Sequence, residues 1–575
     1  MRMARQLRRY EAPVVDPALD HLPPLLRRVY AHRGVRAAEE IDYALAGLLP
    51  VDRLSGIPRA VDLLEDALRA QRRILVLGDF DVDGATSTAL ALLALRAMGA
   101  RDVHYLVPNR FEYGYGLTPA IVEVAAGISP DLLVTVDNGV SSIEGVEAAH
   151  AHGMQVLVTD HHLPGERLPA ADAIVDPNLP GDPFPSKALA GVGVIFYVML
   201  ALRSRLRGCG WFEQSGIADP NLGQFLDLVA LGTVADVAAL DRNNRILVEQ
   251  GLRRIRQGRC RPGIRAILDV AGRATSRLRA VDLGFVLGPR LNAAGRLDDM
   301  SVGIECLLSD DPARARELAI RLDGLNRERK DIEADMQAQA LDRLGDFFAT
   351  VPEQLPSALC LYEPDWHQGV IGILASRIKD RTHRPVIAFA DAGDGELKGS
   401  ARSIQGVHIR DVLDSVAARW PGLISRFGGH AMAAGLSLPS AHLEIFREAL
   451  DLSVQALVDP DQLQAVVHSD GPLAVDEIGL DGALMIRDGG PWGQGFPEPV
   501  FDGEFELISK RIVGERHLRL RLRAAGGREI DAIAFNAAID DWPERGGRVC
   551  IAYRLDVNEY QGRLSPQLVV EELLS

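Results

Sequence analysis

The stretch Gly78-Asp79-Phe80-Asp81-Val82-Asp83-Gly84-Ala85-Thr86 places three carboxylates at alternate positions in one short segment. Carboxylates this close repel one another unless a divalent cation lies among them, so Asp79, Asp81 and Asp83 are expected to bind metal. The string also matches the opening of a helix–loop–helix calcium site. That loop needs a Glu at its twelfth position and a helix before it. Here the twelfth position is Leu90, and Ile74-Leu75-Val76-Leu77 reads as a strand, which excludes it. A polar turn capping the next helix would explain one aspartate and not three.

Two later segments repeat the placement. The run Leu132-Leu133-Val134-Thr135-Val136 ends in Asp137-Asn138-Gly139, and Val156-Leu157-Val158-Thr159 ends in Asp160-His161-His162. Alone, Asp137 is an ordinary strand-end turn residue. Two adjacent imidazoles beside a carboxylate are rarer, and mixed His and Asp ligation suits Mn²⁺ or a similar borderline ion. A fourth segment, 228–237, sets Asp236 in an apolar run, where a carboxylate is costly unless paired or metal-bound; an N-cap role is the alternative. His104, His150 and His152 read as structural. Neither a GxxxxGK[ST] phosphate loop nor a Ser–His–Asp set is found.

Short apolar runs alternating with helical stretches at 85–98 and 142–150 predict a parallel α/β sheet. Such sheets bind ligands outside the carboxyl ends of their strands, and all three polar clusters fall on that edge. The fold class expected is therefore α/β, with further domains behind the first. Residues 1–50 read as short helices broken by Pro13, Pro17, Pro23 and Pro24, and 51–310 as the catalytic α/β domain. Residues 311–355 read as a linking helix, 356–457 as a second α/β domain and 458–575 as a small all-β barrel.

The chain has 575 residues, 47% hydrophobic and 25% charged, which is ordinary for a soluble protein of several domains. A net charge of −16 argues mildly against a general nucleic-acid coat, yet carboxylates gathered around metal add to that total. Five scattered cysteines form no CxxC motif and read as thiols in a reducing compartment. No secretory signal and no membrane-spanning run is read, so a cytoplasmic location is expected. For strand contact, the loop around Asn109, Arg110, Phe111 and Tyr115 combines a guanidinium with aromatic faces. Arg290, Asn292 and Arg296 are expected in a glycine-bounded turn open to phosphates. In the barrel, Arg519, Arg521 and Arg523 alternate with leucines along one face, which is either an electrostatic track for a strand or a solvated outer face.

Together the motifs DxDxDG, VDNG, DHH and GTVAD, in that order, resemble the DHH phosphoesterase superfamily, and within it the RecJ-type single-strand exonucleases. Gly288-Pro289-Arg290-Leu291-Asn292-Ala293-Ala294-Gly295-Arg296 tightens the match. So do 366–372 and Phe427-Gly428-Gly429-His430, which resemble the DHHA1 domain, and the barrel resembles an OB fold. The resemblance runs from about Leu49 to the final barrel. It implies a centre of two Mn²⁺ or Mg²⁺ ions on Asp81, Asp83, Asp137, His161 and Asp236, with Asp137 as bridge and Asp79 as a further ligand. It implies that Asp160 orients His161 and that His162 meets the scissile phosphate or assists proton transfer. In the DHHA1 region, 399–403 and His430 resemble the edge that holds the strand terminus, and Arg402, Ser403 and Arg110 are expected to read a 5′ phosphate. The implied activity is 5′→3′ degradation of single-stranded DNA in repair and recombination, by a monomer working with a single-strand-binding protein and a RecQ-like helicase. The alternatives are an oligoribonuclease or cyclic-dinucleotide phosphodiesterase of the same superfamily, whose members are typically shorter, and a catalytically dead adaptor. The retention of every motif discriminates against the adaptor.

Overall fold

The computed structural model describes residues 5–11, 16–108, 113, 116–350, 356–429, 431–514, 517–560 and 562–574. They form two compact units, one of 14–326 with 488–498, the other of 1–13, 327–487 and 499–575.

The first unit is built on five parallel strands in the spatial order Val103–Leu106, Ile74–Leu77, Leu132–Val136, Gln155–Thr159 and Ala173–Val175. The winding direction therefore reverses between Ile74–Leu77 and Leu132–Val136, which is where a doubly wound sheet opens its crevice. These two strands are buried on both faces, so they appear in the sequence as apolar runs that only Thr135 interrupts. Helix Val82–Ala97 leaves the first of them and is buried nearly all round. Its alanines, leucines and small hydroxyl residues leave no polar face, and it packs on helices Gly191–Gly208 and Leu226–Ala235. The buried threonines cost little because Thr86 Oγ1 donates to the Val82 carbonyl at 2.9 Å and Thr88 Oγ1 to that of Gly84 at 2.7 Å.

Three expectations need correction. Gln6–Arg9, read as part of a helical segment, is a strand that pairs in parallel with Val466–Ser469. Arg9 reaches the buried Asp502 at 2.6 Å, and that ion pair anchors the chain end in extended form. Residues 488–498, read as part of the barrel region, belong to the first unit instead. There Trp492 stacks on Phe496 with centroids 5.1 Å apart, and the Arg245 guanidinium sits 4.2 Å from the Phe496 ring, so aromatic burial decides where the segment goes. Finally, Arg290, Asn292 and Arg296 lie on the helix Gly288–Leu297, not in a turn. Pro289 suits the first helical turn, and Gly295 serves close approach, since a side chain there would strike the Phe80 carbonyl.

The helix Pro312–Thr350 begins in the first unit and ends in the second. The second unit holds a mixed sheet in the order Arg426–Gly429, Ala433–Pro439, Glu396–Arg402, Val386–Asp391 and Leu359–Tyr362, of which the last two are parallel. It also holds a closed barrel of Phe501–Val513, His517–Arg523, Glu529–Ala534, Arg563–Leu573 and Arg548–Tyr560. Leu518, Leu520 and Leu522 fill the barrel interior. Alternation then turns the intervening arginines outward. Among the described residues no helix is long and apolar enough to cross a membrane.

Candidate metal centre

Each carboxylate of the first motif is fixed by a backbone N–H. Asp79 accepts from Phe80 at 2.7 Å, and Asp81 caps helix Val82–Ala97 by accepting from Gly84 at 3.0 Å. Asp83 accepts from Gly191 at 2.7 Å and Val192 at 2.9 Å, so the N-terminus of helix Gly191–Gly208 is aimed at its charge. Asp137 stands at the end of the neighbouring strand with φ +63, a left-handed conformation that Asp tolerates better than most residues. Asp236 ends helix Leu226–Ala235 as its C-cap, which rules out an N-cap role.

These elements converge. His161 Nε2 lies 3.0 Å from Asp137, 3.9 Å from Asp83 and 3.9 Å from Asp236. Among the described residues three sets each bring one ligand atom per residue within 4.8 Å: Asp79/Asp81/Asp137, Asp83/His161/Asp236 and Asp137/His161/His162. Asp137 and His161 each belong to two of them. Burial, followed by the negative charge of neighbours, pushes Asp83 up to about 7 and holds Asp137 and Asp236 well above the usual carboxylate range. A cluster so crowded with buried carboxylates is short of positive charge. The donor set of oxygens with one or two imidazoles fits divalent ions such as Mn²⁺ or Mg²⁺.

Sequence reasoning missed the glycines that leave this space open. A Cβ on Gly191 would lie 2.7 Å from Asp137 Oδ1, and one on Gly232 2.7 Å from Asp83 Oδ1. Gly232 was visible inside the GTVAD motif. Gly191 had no local signal, because its partner is 54 residues away in sequence (191 minus 137).

The DHH turn differs in one respect from expectation. Asp160 does not hold the ring of His161; its Oδ1 lies 2.7 Å from Nδ1 of His162, and it also accepts the backbone N–H of His161 at 2.8 Å and of Val140 at 2.9 Å. The reason is reach: a turn brings the ring two residues on, not one, back over the carboxylate. Burial works against charge on His162, but the hydrogen bond and charge of Asp160 outweigh it and carry the imidazole up to about 9. Asp160, buried as it is, is held below the carboxylate range by the same bond. Asn178, unnoticed in the sequence, donates to the His161 carbonyl at 2.6 Å and braces the turn.

The expected strand contacts fare unevenly. Arg110, Tyr115 and His430 lie outside the described residues. Arg290 donates through Nε to Asp323 at 3.0 Å and through Nη1 to the Val286 carbonyl at 2.8 Å. Asn292 accepts from Val82 N–H at 3.2 Å and so ties its helix to the aspartate loop. Arg296 is half-buried on the last turn of the same helix. Arg402 is half-buried, with Nη1 donating to Ser400 Oγ at 3.1 Å and to the Ala401 carbonyl at 2.8 Å. Ser403 is 1% exposed and donates to the Val407 carbonyl at 2.7 Å, so its hydroxyl is already engaged inside the fold. The arginine stripe is neutralised by the barrel itself. Arg519 meets Asp531 at 3.2 Å, Arg521 meets Asp531 at 2.8 Å and Glu529 at 3.3 Å, and Arg523 meets Glu506 and Glu529 at 3.0 Å.

Carboxylates and histidines at the switch point of a parallel sheet, followed by a second α/β domain, define a DHH-type metallophosphoesterase. Family comparison agrees: the DHH family N-terminal domain matches 73–233, the DHHA1 domain 355–456 and the RecJ OB domain 469–572. The single-stranded-DNA-specific exonuclease RecJ of Dickeya dadantii is 58% identical, and that of Escherichia coli 56%, each over 100% of both chains. This chain belongs to the RecJ family. The structure of RecJ from Thermus thermophilus in complex with Mn²⁺ is similar with a TM-score of 0.81 and 32% identity, covering 100% of this chain and 79% of that one. Its Mg²⁺ complex gives 0.75 and 31%, covering 100% and 78%.

Proposed function

We propose that this chain is a metal-dependent exonuclease that removes nucleotides from single-stranded DNA in the 5′→3′ direction, acting in repair and recombination. The observation that carries the reading is the sharing of Asp137 and His161 between adjacent ligand sets at the sheet's switch point. Asp81, Asp83, Asp137, His161 and Asp236 would hold two Mn²⁺ or Mg²⁺ ions, Asp137 serving both and Asp79 adding an oxygen. When bound, the ions supply an activated water and stabilise the leaving oxygen of an in-line displacement. The chain's own part is to preorganise. Gly191 and Val192 N–H fix the angle of Asp83, and Asp160 holds His162 by its Nδ1, orienting that ring as a donor for a phosphate oxygen.

The substrate class is supported by the names of the relatives and by the barrel, which a dinucleotide phosphodiesterase would not need. Polarity requires a group that reads the terminal phosphate. Arg402 with Ser400 fills that role in this reading, in place of the engaged Ser403. Because the substrate must be unpaired, a single-strand-binding protein and a helicase that exposes the strand are the partners proposed, in the cytoplasm. The test is direct: the purified chain with Mn²⁺ is given single strands labelled at either end, and duplex. Immediate release of labelled mononucleotide from the 5′ label alone supports the reading. Early release from the 3′ label, internal cutting or equal attack on duplex would overturn it.

A further inference from the structure

The most exposed large apolar side chain among the described residues is Phe285, at 78%. It stands on a single π-helical turn, Leu283–Leu287, a departure from α-geometry that is frequent where function is carried. The glycines on either side of it face the end of helix Leu226–Ala235: a Cβ on Gly284 would lie 3.4 Å from Val234, and one on Gly288 3.6 Å from Ala235. Phe285 is thus held beside the helix end that presents Asp236, while its ring stays out of the core.

A second apolar group flanks the same helix end. Val237 directly follows Asp236 at φ +61, in a termination motif where Val237 N–H reaches the Val234 carbonyl and Ala238 N–H that of Thr233, both at 3.2 Å. That position usually takes glycine, because a β-branched residue is strained there. Packing gives no compensation, since Val237 is 63% exposed. Helix Gly288–Leu297 continues from the π turn and bonds the aspartate loop through Asn292. Val237 therefore adjoins Asp236 and Phe285 flanks the helix that ends in it, both as exposed apolar surface.

We infer that Phe285 is a stacking platform for one nucleobase of the bound strand, with Val237 flanking it, and that it sets the register of the scissile phosphate over the metal centre. This rests on the reading of the chain as a single-strand exonuclease. A strand offers a π-face at every nucleotide whatever its sequence, so one ring can position any substrate. Phe285 acts as a positioning residue, not a catalytic one.

The test uses the full chain with Mn²⁺ and oligonucleotides carrying one abasic nucleotide stepped along from the 5′ end. On intact strands Phe285→Ala should raise KM about 10-fold. Wild type should show a matching loss when the abasic nucleotide occupies one particular step, and Phe285→Ala should show no further loss there. Phe285→Trp should restore KM, and Phe285→Leu should not. Val237→Gly should raise KM less while the melting temperature holds or rises. Equal KM for wild type and Phe285→Ala, an added loss at every abasic step, or a fall in melting temperature would overturn the proposal. Failure of wild type to cut single strands would instead remove the reading beneath it.

Discussion

The aspartate loop and the barrel's arginine stripe have the same sequence pattern, three like charges at alternate positions, and opposite physical outcomes. In the loop, Asp79 and Asp83 are 4% and 1% exposed, with further carboxylates packed against them. In the stripe, each arginine meets at least one carboxylate of a neighbouring strand within 3.3 Å. The chain leaves the first group in need of an external cation and neutralises the second itself. Like charges in alternation thus mark a ligand site only where the fold withholds the counter-charge.

The largest effect should come from subtracting charge at the centre. Asp83→Asn keeps shape and loses charge, and cleavage should fall below about 1% of wild type, with a chelator reproducing this in the unaltered chain. Activity near wild type would mean that the loop, like the stripe, has no use for a cation. Filling the space instead of changing the charge gives a smaller effect. Gly191→Ala should cost about 10- to 100-fold in Mn²⁺ affinity or rate with the fold intact, because its Cβ would press on Asp137.

The Asp160–His162 pair sharpens the contrast by showing an internal counter-charge within the acidic region. Its imidazole is raised from 6.5 to about 9, so the folded state binds a proton that the unfolded chain releases earlier. The stability contributed is full below pH 6.5 and lost as pH rises through 9. Melting curves of wild type and His162→Asn should therefore differ most at low pH and merge above that range. A constant gap would place the effect in packing. The smallest change is expected in the barrel. A phosphate contact removed from a single-strand site lowers the salt slope by about 0.7, and Arg521→Ala should leave it nearly unchanged because Arg521 already serves Asp531 and Glu529.

How much of this was legible follows from range. The parallel sheet, the barrel and the convergence of Asp81, Asp83, Asp137, His161 and Asp236 could be read, because each motif sits at a strand or helix end and carries its own local signal. What escaped depends on contacts between distant segments. Gly191 matters only through Asp137, and Asn178 only through the His161 carbonyl. The partners of the arginine stripe, Asp531 and Glu529, were not legible because they reach it only through strand register. Gly288 and Gly295 suggested a turn, yet the second makes room for the Phe80 carbonyl.

The central claim, that two ions share Asp137, is tested most directly by counting bound Mn²⁺. Titration of the purified, metal-stripped chain, followed by calorimetry or by electron paramagnetic resonance of free Mn²⁺, should give two ions per chain. Asp137→Asn should weaken both sites together, because each would draw on the carboxylate charge that the amide lacks. A single site in the unaltered chain, or an Asp137→Asn variant that still binds two ions with unchanged affinity, would contradict the account.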